Sequence, residues 1–303
     1  MSSSPAPQLT LTDSERAELS TRKVTCPFLG PSVASDALAV LNSQAQPLAS
    51  IADVVALGNS GDNSDLGDLL KVFCEGNHAF MPGPQGLLDQ PVPAGLFSLD
   101  LPGSQGSHFG HSGILQGDPN AIGSGRFSDV DFERLAQFAV DGAIRRSDLG
   151  KFIAANIKRD PAAHAPGLKT AMFLSKDLLL LAGQAVAVLA DKVTDSNDPV
   201  DRRKLFTRLT QLLGEDHLLG SSGEFGLLAA FLTNSPRTRQ VDATLGTEPA
   251  YAMADISLMF KDRRLPDGWQ SWTKKARDWV VHTGAIAVAA EKELLLNKVQ
   301  HIF

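Results

Sequence analysis

The two cysteines are the most chemically versatile side chains of the sequence, because a thiolate is both a nucleophile and a ligand for a metal ion or a haem iron. Cys26 stands in Thr25-Cys26-Pro27, just after a polar leader. Two interpretations are open for it: a small buried hydrophobic residue, or a thiolate at the start of a helix, where backbone N–H groups lower its pKa. Cys74 falls in the apolar periodic segment LLKVFCEGNHAF, which predicts a buried structural residue.

Other catalytic motifs with a recognisable spacing are absent from the sequence. There is no Gly-x-Ser-x-Gly nucleophile elbow, no phosphate-binding loop and no Gly-rich dinucleotide fingerprint. His108 and His111 form only an i, i+3 pair in a loop, which is a weak signal for zinc. Hydrolase and nucleotide-dependent functions therefore lose support.

The segment 138–149, FAVDGAIRRSDL, is similar to part of an EF-hand calcium loop. Asp141 occupies a ligand position and Gly142 the position of the turn glycine. The first ligand position holds Gln137, and the last holds Asp148 where a bidentate glutamate is usual. The pattern favours a helix-turn-helix without calcium, and a calcium-responsive module remains an alternative function.

Helical periodicity accounts for most of the chain from residue 128 onward. Ser128, followed by Asp129 and Asp131, predicts a capped helix start. Alternating patterns of β-branched residues are almost absent, so we predict an all-α, mainly helical fold. The further predicted helices lie at 147–157, 168–192, 200–213, 221–234, 252–261 and 275–298.

A long Gly- and Pro-rich segment, residues 81–113, precedes these helices. Both residue types interrupt helices and strands, so the segment predicts a long ordered loop, and such loops are usually functional. The sequence shows no internal repeat and no convincing linker, so we predict one helical domain over residues 21–303. Residues 1–20 are rich in Ser, Pro and Thr, which predicts a flexible tail.

Charge and hydropathy restrict the partners and the location. The net charge is −6 and the basic residues are scattered, so we expect no nucleic-acid partner. The longest apolar run, Leu178 to Ala190, is shorter than the roughly 20 residues that a membrane span needs, so we expect no membrane partner. No apolar stretch follows a basic start near residue 1, which predicts a cytoplasmic protein.

Four separated segments together resemble one family, the haem-thiolate peroxidases that include chloroperoxidase and the unspecific peroxygenases. Thr25-Cys26-Pro27 is similar to the family's Pro-Cys-Pro, and Gly110-His111-Ser112-Gly113-Ile114 is similar to its distal Glu-His-Asp-x-Ser loop. Residues 125–160 match its Phe-rich segment with an Asp-Gly turn. GEFGLLAAFL at 223–232 and MFKDRRLPDGW at 259–269 match its Gly-Glu helix and closing segment.

The resemblance implies that Cys26 is the proximal ligand of a b-type haem and that Pro27 helps to fix its turn. It also implies that Glu224 moves a proton between the two oxygens of a bound peroxide, and that His111 holds that carboxylate in place. The implied activity is a peroxidase or peroxygenase that uses hydrogen peroxide to oxidise or oxygenate small organic substrates, or halide. From the residues alone, Glu224 is equally compatible with a solvated helix position and His111 with an ordinary loop.

This chain departs from the family in its distal loop. Members often bind Mg²⁺ or Mn²⁺ through the Glu and Ser of that loop, where this chain has Gly110 and Ile114. A hard cation needs oxygen ligands, so we expect no tightly bound Mg²⁺ or Mn²⁺ there. The segment 270–303 has no counterpart in the family. An alternative function is a non-catalytic helical binding or scaffold protein that retains the fold without haem.

Overall fold

The fold is described from a computed structural model of the chain. The description covers residues 6–24, 26–77, 80–81, 90–100, 127–159, 217–243 and 246–300. Helices predominate in these residues, which confirms the prediction of a mainly helical fold. The expected near-absence of strands is wrong, because three small antiparallel sheets lie among the described helices.

The N-terminal segment contains a helix, α1, at Asp13–Arg22, where a flexible tail was predicted. A capping box begins this helix. The Thr12 hydroxyl accepts a hydrogen bond from the Glu15 N–H at 3.3 Å, and the Glu15 carboxylate accepts one from the Thr12 N–H at 2.8 Å. Leu19 and Ser20 are buried, so α1 packs on the rest of the protein. The Thr-x-x-Glu spacing is the sequence signal that the composition of the segment obscured.

Three more helices complete the N-terminal third, and two of them pack closely through glycines. A Cβ atom at Gly58 would lie 2.7 Å from the Cα of Gly67, so the two backbones meet where neither residue has a side chain. Larger residues at these positions would separate the helices. The three helices are α2 at Leu29–Ala34, α3 at Ile51–Gly58 and α4 at Leu66–Asn77.

The strands are short, with two to seven residues each. The first sheet has the order β1-β2-β5, the second pairs β3 with β4, and the third has the order β6-β8-β7. Strands this short cannot show a sustained alternation, and they contain residues such as Pro47 and Gly246 that are unusual in strands. Three of them, β3 to β5, begin beside or lie within the segment predicted as a loop. The strands are β1 Leu41–Asn42, β2 Pro47–Ser50, β3 Phe80–Met81, β4 Gln90–Pro91, β5 Leu96–Ser98, β6 Ala143–Arg145, β7 Arg239–Ala243 and β8 Gly246–Ala252.

The helices that follow residue 128 form the centre of the core. The Ser128 hydroxyl accepts from the Asp131 N–H at 3.2 Å, which confirms the predicted cap. The predicted helices at 147–157, 221–234, 252–261 and 275–298 are confirmed within a few residues, and those at 168–192 and 200–213 lie outside the described residues. The observed helices are α5 Asp129–Ala136, α6 Arg146–Arg159, α7 His217–Leu232, α8 Met253–Phe260 and α9 Ala276–Gln300.

Small residues allow α6 and α7 to approach α9 closely. A Cβ atom at Gly150 of α6 would lie 2.6 Å from both the Ala289 Cβ and the Ile286 carbonyl oxygen. On α7, a Cβ atom at Gly226 would collide with the Thr283 hydroxyl. The hydrophobic effect favours this packing, because Ile286 and the facing apolar side chains are removed from water.

A buried lysine connects the first and last thirds of the chain. Lys274 has no exposed surface, and its ammonium donates to the Ser60 carbonyl at 2.6 Å and to the Trp272 carbonyl at 2.8 Å. The ammonium also lies 5.3 Å from the centre of the Trp269 ring, within cation–π range. Burial lowers the pKa of Lys274 to about 8.

None of the helices in the described part of the chain combines the length and the apolar character that crossing a lipid bilayer requires.

The packing of α6 on α9 predicts a large difference between two leucine substitutions on the same helix. Gly150→Leu inserts a side chain where α9 leaves no room, so it should lower the free energy of unfolding by roughly 3 kcal/mol. Ala155 is exposed on α6, so Ala155→Leu should change it by less than about 0.5 kcal/mol. Urea denaturation of the two variants measures both values, and equal losses would contradict the observed packing.

Candidate functional site

The Cys26 turn, residue 24 and residues 26–30, leads from α1 into α2. The Cys26 carbonyl accepts from the Gly30 N–H at 2.9 Å, so the chain begins to coil at Cys26 itself. Pro27 is the first residue inside this coil. Its ring fixes φ near the helical value and it has no N–H to leave unpaired, which suits the first turn of a helix. Pro27 lies just before α2, and its expected role in fixing the turn stays a prediction.

The Cys26 sulfur lies within reach of the backbone. The backbone N–H groups of Leu29 and Phe28 act to lower the pKa of its thiol. Cys26 is partly buried and packs against the hydrophobic core. Backbone N–H groups directed at sulfur stabilise the negative charge of a thiolate and tune the electronic properties of a metal that it binds.

Burial nevertheless raises the pKa of the Cys26 thiol above its ordinary value. The charge of Glu224 raises it further, while the two N–H groups and the charge of Arg263 act in the opposite direction. Unliganded Cys26 is therefore a neutral thiol near pH 7 and a weak nucleophile. A metal ion removes the proton of a thiol that coordinates it, so the surroundings suit a metal ligand better than a free nucleophile.

Glu224 is a partly buried carboxylate on the mainly apolar helix α7. Its neighbours Phe225 and Leu228 are buried in the core. The indole N–H of Trp279 donates to the carbonyl of Gly223 at 2.9 Å, which fixes the backbone of α7 beside Glu224. The charge of Glu224 acts to raise the pKa of the Cys26 thiol.

Three aromatic rings fix the Cys26 turn against α7. Phe28 contacts Phe231 of α7 with ring centroids 5.2 Å apart and Trp269 with centroids 6.0 Å apart. Phe231 and Trp269 stack on each other at 5.7 Å. We call this set the aromatic cluster. It fixes the distance between the segment that carries Cys26 and the helix that carries Glu224.

Sequence reasoning did not assign a role to Arg263, although the residue lies in the quoted segment MFKDRRLPDGW. The side chain is 9% exposed, whereas that of its neighbour Arg264 is 66% exposed. Burial lowers the pKa of Arg263 to about 10, so the guanidinium remains charged at neutral pH. The two adjacent arginines are alike in the sequence, and only the fold distinguishes them.

Some of the predicted site residues lie outside the described residues. His111 is one of them, and so are Gly110 and Ile114 of the predicted distal loop. The contact between His111 and Glu224, and the expected lack of a Mg²⁺ or Mn²⁺ site, stay predictions. Cys74 is described, and it is 3% exposed within the hydrophobic core, as its apolar surroundings predict.

The calcium-like segment forms a tight turn and a strand. Val140 and Ala143 exchange backbone hydrogen bonds of 2.8 and 3.1 Å around Asp141 and Gly142, both of which have positive φ. The chain then enters β6, so the predicted helix-turn-helix is wrong at this point. The Asp148 carboxylate pairs with Lys151 at 2.6 Å instead of facing the turn as a ligand.

Among the described residues, no three His, Cys, Asp or Glu side chains are grouped so that they could hold a metal ion. This finding leaves the calcium alternative without a ligand set in the segment 138–149. It also means that Cys26 would act there as a single protein ligand. One ligand suffices for a prosthetic group that supplies the remaining ligands itself.

Comparison with known protein families, with curated proteins and with solved structures finds no match for this chain.

A buried cluster of three polar side chains lies between the end of α7, β8 and α9. Its members are Thr233, Tyr251 and His282. The Thr233 hydroxyl donates to the Ala229 carbonyl at 2.7 Å, so its oxygen accepts from the Nε2–H of His282 at 2.8 Å. The Nδ1 atom of His282 then accepts from the Tyr251 hydroxyl at 3.4 Å. Every polar atom of the imidazole is used, which indicates a structural role for His282 in its neutral form.

Stability should depend on pH through His282. Burial, with the nearby charge of Arg146, lowers the pKa of His282 to about 4 from 6.5. Between these values the unfolded chain binds a proton that the folded chain does not, so stability falls as pH decreases from 6.5 to 4, by roughly 3 kcal/mol at most.

Denaturant unfolding at several pH values measures this effect. His282→Gln should flatten the profile over this window, while Tyr251→Phe, which leaves the imidazole in place, should keep its slope. Parallel profiles for wild type and His282→Gln would show that His282 is not the group responsible.

Proposed function

We propose that this chain is a haem-thiolate peroxidase or peroxygenase that uses hydrogen peroxide to oxidise small organic substrates, or halide. The observation that carries the proposal is the convergence of Cys26 and Glu224. Nearly 200 residues separate them in the sequence, yet the aromatic cluster packs the turn that carries Cys26 against α7, the helix that carries Glu224. The family resemblance assigns these same two residues to the proximal ligand and the acid–base catalyst.

The Cys26 turn has the features that a thiolate ligand to haem needs. Cys26 is partly buried, the backbone N–H groups of Leu29 and Phe28 favour its thiolate form, and the turn into α2 fixes its position. Cys74 is fully enclosed in the core and is a much poorer candidate. When bound, haem supplies the iron at which peroxide reacts, and a thiolate ligand favours cleavage of the O–O bond.

Glu224 is proposed as the proton carrier. One carboxylate can accept a proton from one peroxide oxygen and return it to the other, provided that it stays in place over a short path. The backbone anchor at Gly223 and the buried neighbours of Glu224 limit its movement. His111 is proposed to orient the carboxylate by a hydrogen bond.

The second candidate function is a non-catalytic helical scaffold without haem. The raised pKa of the Cys26 thiol is compatible with it, because a neutral, partly buried thiol is also an ordinary packing residue. The absorption spectrum of purified protein with added haemin distinguishes the two candidates, since a scaffold would give no protein-bound haem band.

The ligand assignment predicts opposite results for the two cysteines. Protein loaded with haemin, reduced and exposed to carbon monoxide should show the red-shifted band of a thiolate-ligated haem. Cys26→Ala should lose that band completely, because no other described sulfur could replace the ligand, whereas Cys74→Ala should keep it. If the band survives in Cys26→Ala and disappears in Cys74→Ala, the ligand is Cys74 and not Cys26.

The proton-carrier assignment predicts a kinetic defect without loss of haem. Glu224→Gln keeps the size of the side chain but cannot exchange the proton, so peroxide-dependent turnover should fall by roughly 10²–10⁴-fold. His111→Ala should give a smaller loss, because orientation is only part of the effect. The exposed Glu18 serves as a control, and Glu18→Gln should leave the rate unchanged. Wild-type turnover by fully loaded Glu224→Gln would refute the assigned role.

A further inference from the structure

We propose that Arg263 is a positioning residue that clamps the Cys26 turn and thereby holds the sulfur where it can ligate iron. The clamp itself is a property of the fold, while its effect on iron ligation rests on the proposed function.

The guanidinium of Arg263 joins three carbonyl groups at the end of α1 and in the Cys26 turn. Its Nη2 atom donates to the Ser20 carbonyl at 2.8 Å, to the Val24 carbonyl and to the Cys26 carbonyl at 3.4 Å. Its Nε atom donates to the Ser20 hydroxyl at 3.1 Å. The charged donor therefore ties the end of α1 to the first part of the Cys26 turn, up to Cys26 itself.

The clamp is enclosed by the protein. Ser20 and Val24 have no exposed surface and Arg263 is 9% exposed, so water cannot easily replace the guanidinium as a donor to these carbonyls. Breaking the clamp would leave buried carbonyl groups unsatisfied, which is costly. The Cys26 turn would then rearrange to bring them to water.

Gly30 makes room for the clamp. A Cβ atom at this position would collide with the Nη2 atom of Arg263 and with the Val24 carbonyl oxygen. Gly30 also donates its N–H to the Cys26 carbonyl, so the residue that closes the turn is the residue that admits the guanidinium. Replacing Gly30 by a larger residue should therefore displace the Arg263 side chain without changing its charge.

The backbone of Arg263 supports the same role. Its φ is 52°, in the left-handed region that costs a non-glycine residue energy. The next residue, Arg264, donates its N–H to the Leu258 carbonyl at 2.8 Å, which holds this conformation at the end of α8. The unfavourable backbone is maintained at the residue whose side chain reaches the Cys26 turn.

The test compares four variants in a Cys74→Ala background, so that Cys26 is the sole thiol. Arg263→Lys keeps the charge but cannot reach several carbonyls with a planar fork, and Gly30→Ala displaces the guanidinium. Arg264→Lys is the matched control on the exposed neighbour. Gly150→Leu controls for general destabilisation, because the contacts it disturbs lie in α9.

The first readout uses haem-free protein, with circular dichroism to verify folding. The rate of alkylation of Cys26 by iodoacetamide should rise about tenfold or more in Arg263→Lys and Gly30→Ala, since both remove bonds from a charged donor. It should stay within about twofold of the parent in Arg264→Lys and Gly150→Leu.

The second readout is the reduced, carbon-monoxide-bound spectrum of haem-loaded protein. Arg263→Lys and Gly30→Ala should show a mixture of thiolate and non-thiolate bands, whereas the two controls should show the thiolate band alone. Parent-like alkylation and an unmixed thiolate band in both test variants would overturn the proposal, and so would equal changes in Gly150→Leu. If the parent binds no haem, the proposed function fails while the alkylation rates still decide whether the clamp exists.

Discussion

The aromatic cluster of Phe28, Phe231 and Trp269 is the contact on which the candidate site depends. Each ring belongs to a different part of the chain: the Cys26 turn, helix α7 and the segment that follows Arg263. Edge and stacked contacts of this kind have preferred geometries as well as a large buried area. They therefore fix the relative orientation of the packed segments. Burial of aliphatic side chains has no preferred direction, so it fixes this orientation less well. This cluster therefore sets the relative positions of the segments that carry the Cys26 sulfur and the Glu224 carboxylate.

Most helices were predictable because their signals are local. Ser128 and the acidic residues after it mark a helix start whose cap the structure contains, and the apolar periodicity of 275–298 is the pattern of a long packed helix. The strands were not predictable for the opposite reason. A strand such as Pro47–Ser50 is held by backbone pairing with segments distant in sequence, and its few residues show no period. Helix α1 was missed because a Ser- and Pro-rich composition was given more weight than its capping box.

The candidate site was predictable in its residue types and less so in its surroundings. Cys26, Pro27 and Glu224 were singled out by their resemblance to a family pattern, and in the structure the Cys26 turn packs against the helix that carries Glu224. The sequence pattern could not show that Arg263 is buried and Arg264 exposed. The burial of Arg263 depends on the turn after α8 and on the space beside Gly30, and neither is visible in the sequence. At the turn of Asp141 and Gly142, by contrast, the local sequence suggested a site that the surrounding contacts do not support. Its local sequence resembles a calcium loop, but Asp148 is already paired with Lys151.

The two buried cations have a consequence for the order in which the protein matures during synthesis. Arg263 reaches Ser20 across 243 residues of sequence, and Lys274 reaches Ser60 across 214. A chain still emerging from the ribosome has Cys26 available long before either cation has been made. The Cys26 turn can take its final shape only after residue 263 has been translated. Any ligand that needs the finished Cys26 turn would therefore bind late in synthesis or after it, and a product that ends before residue 263 would lack both Arg263 and Lys274.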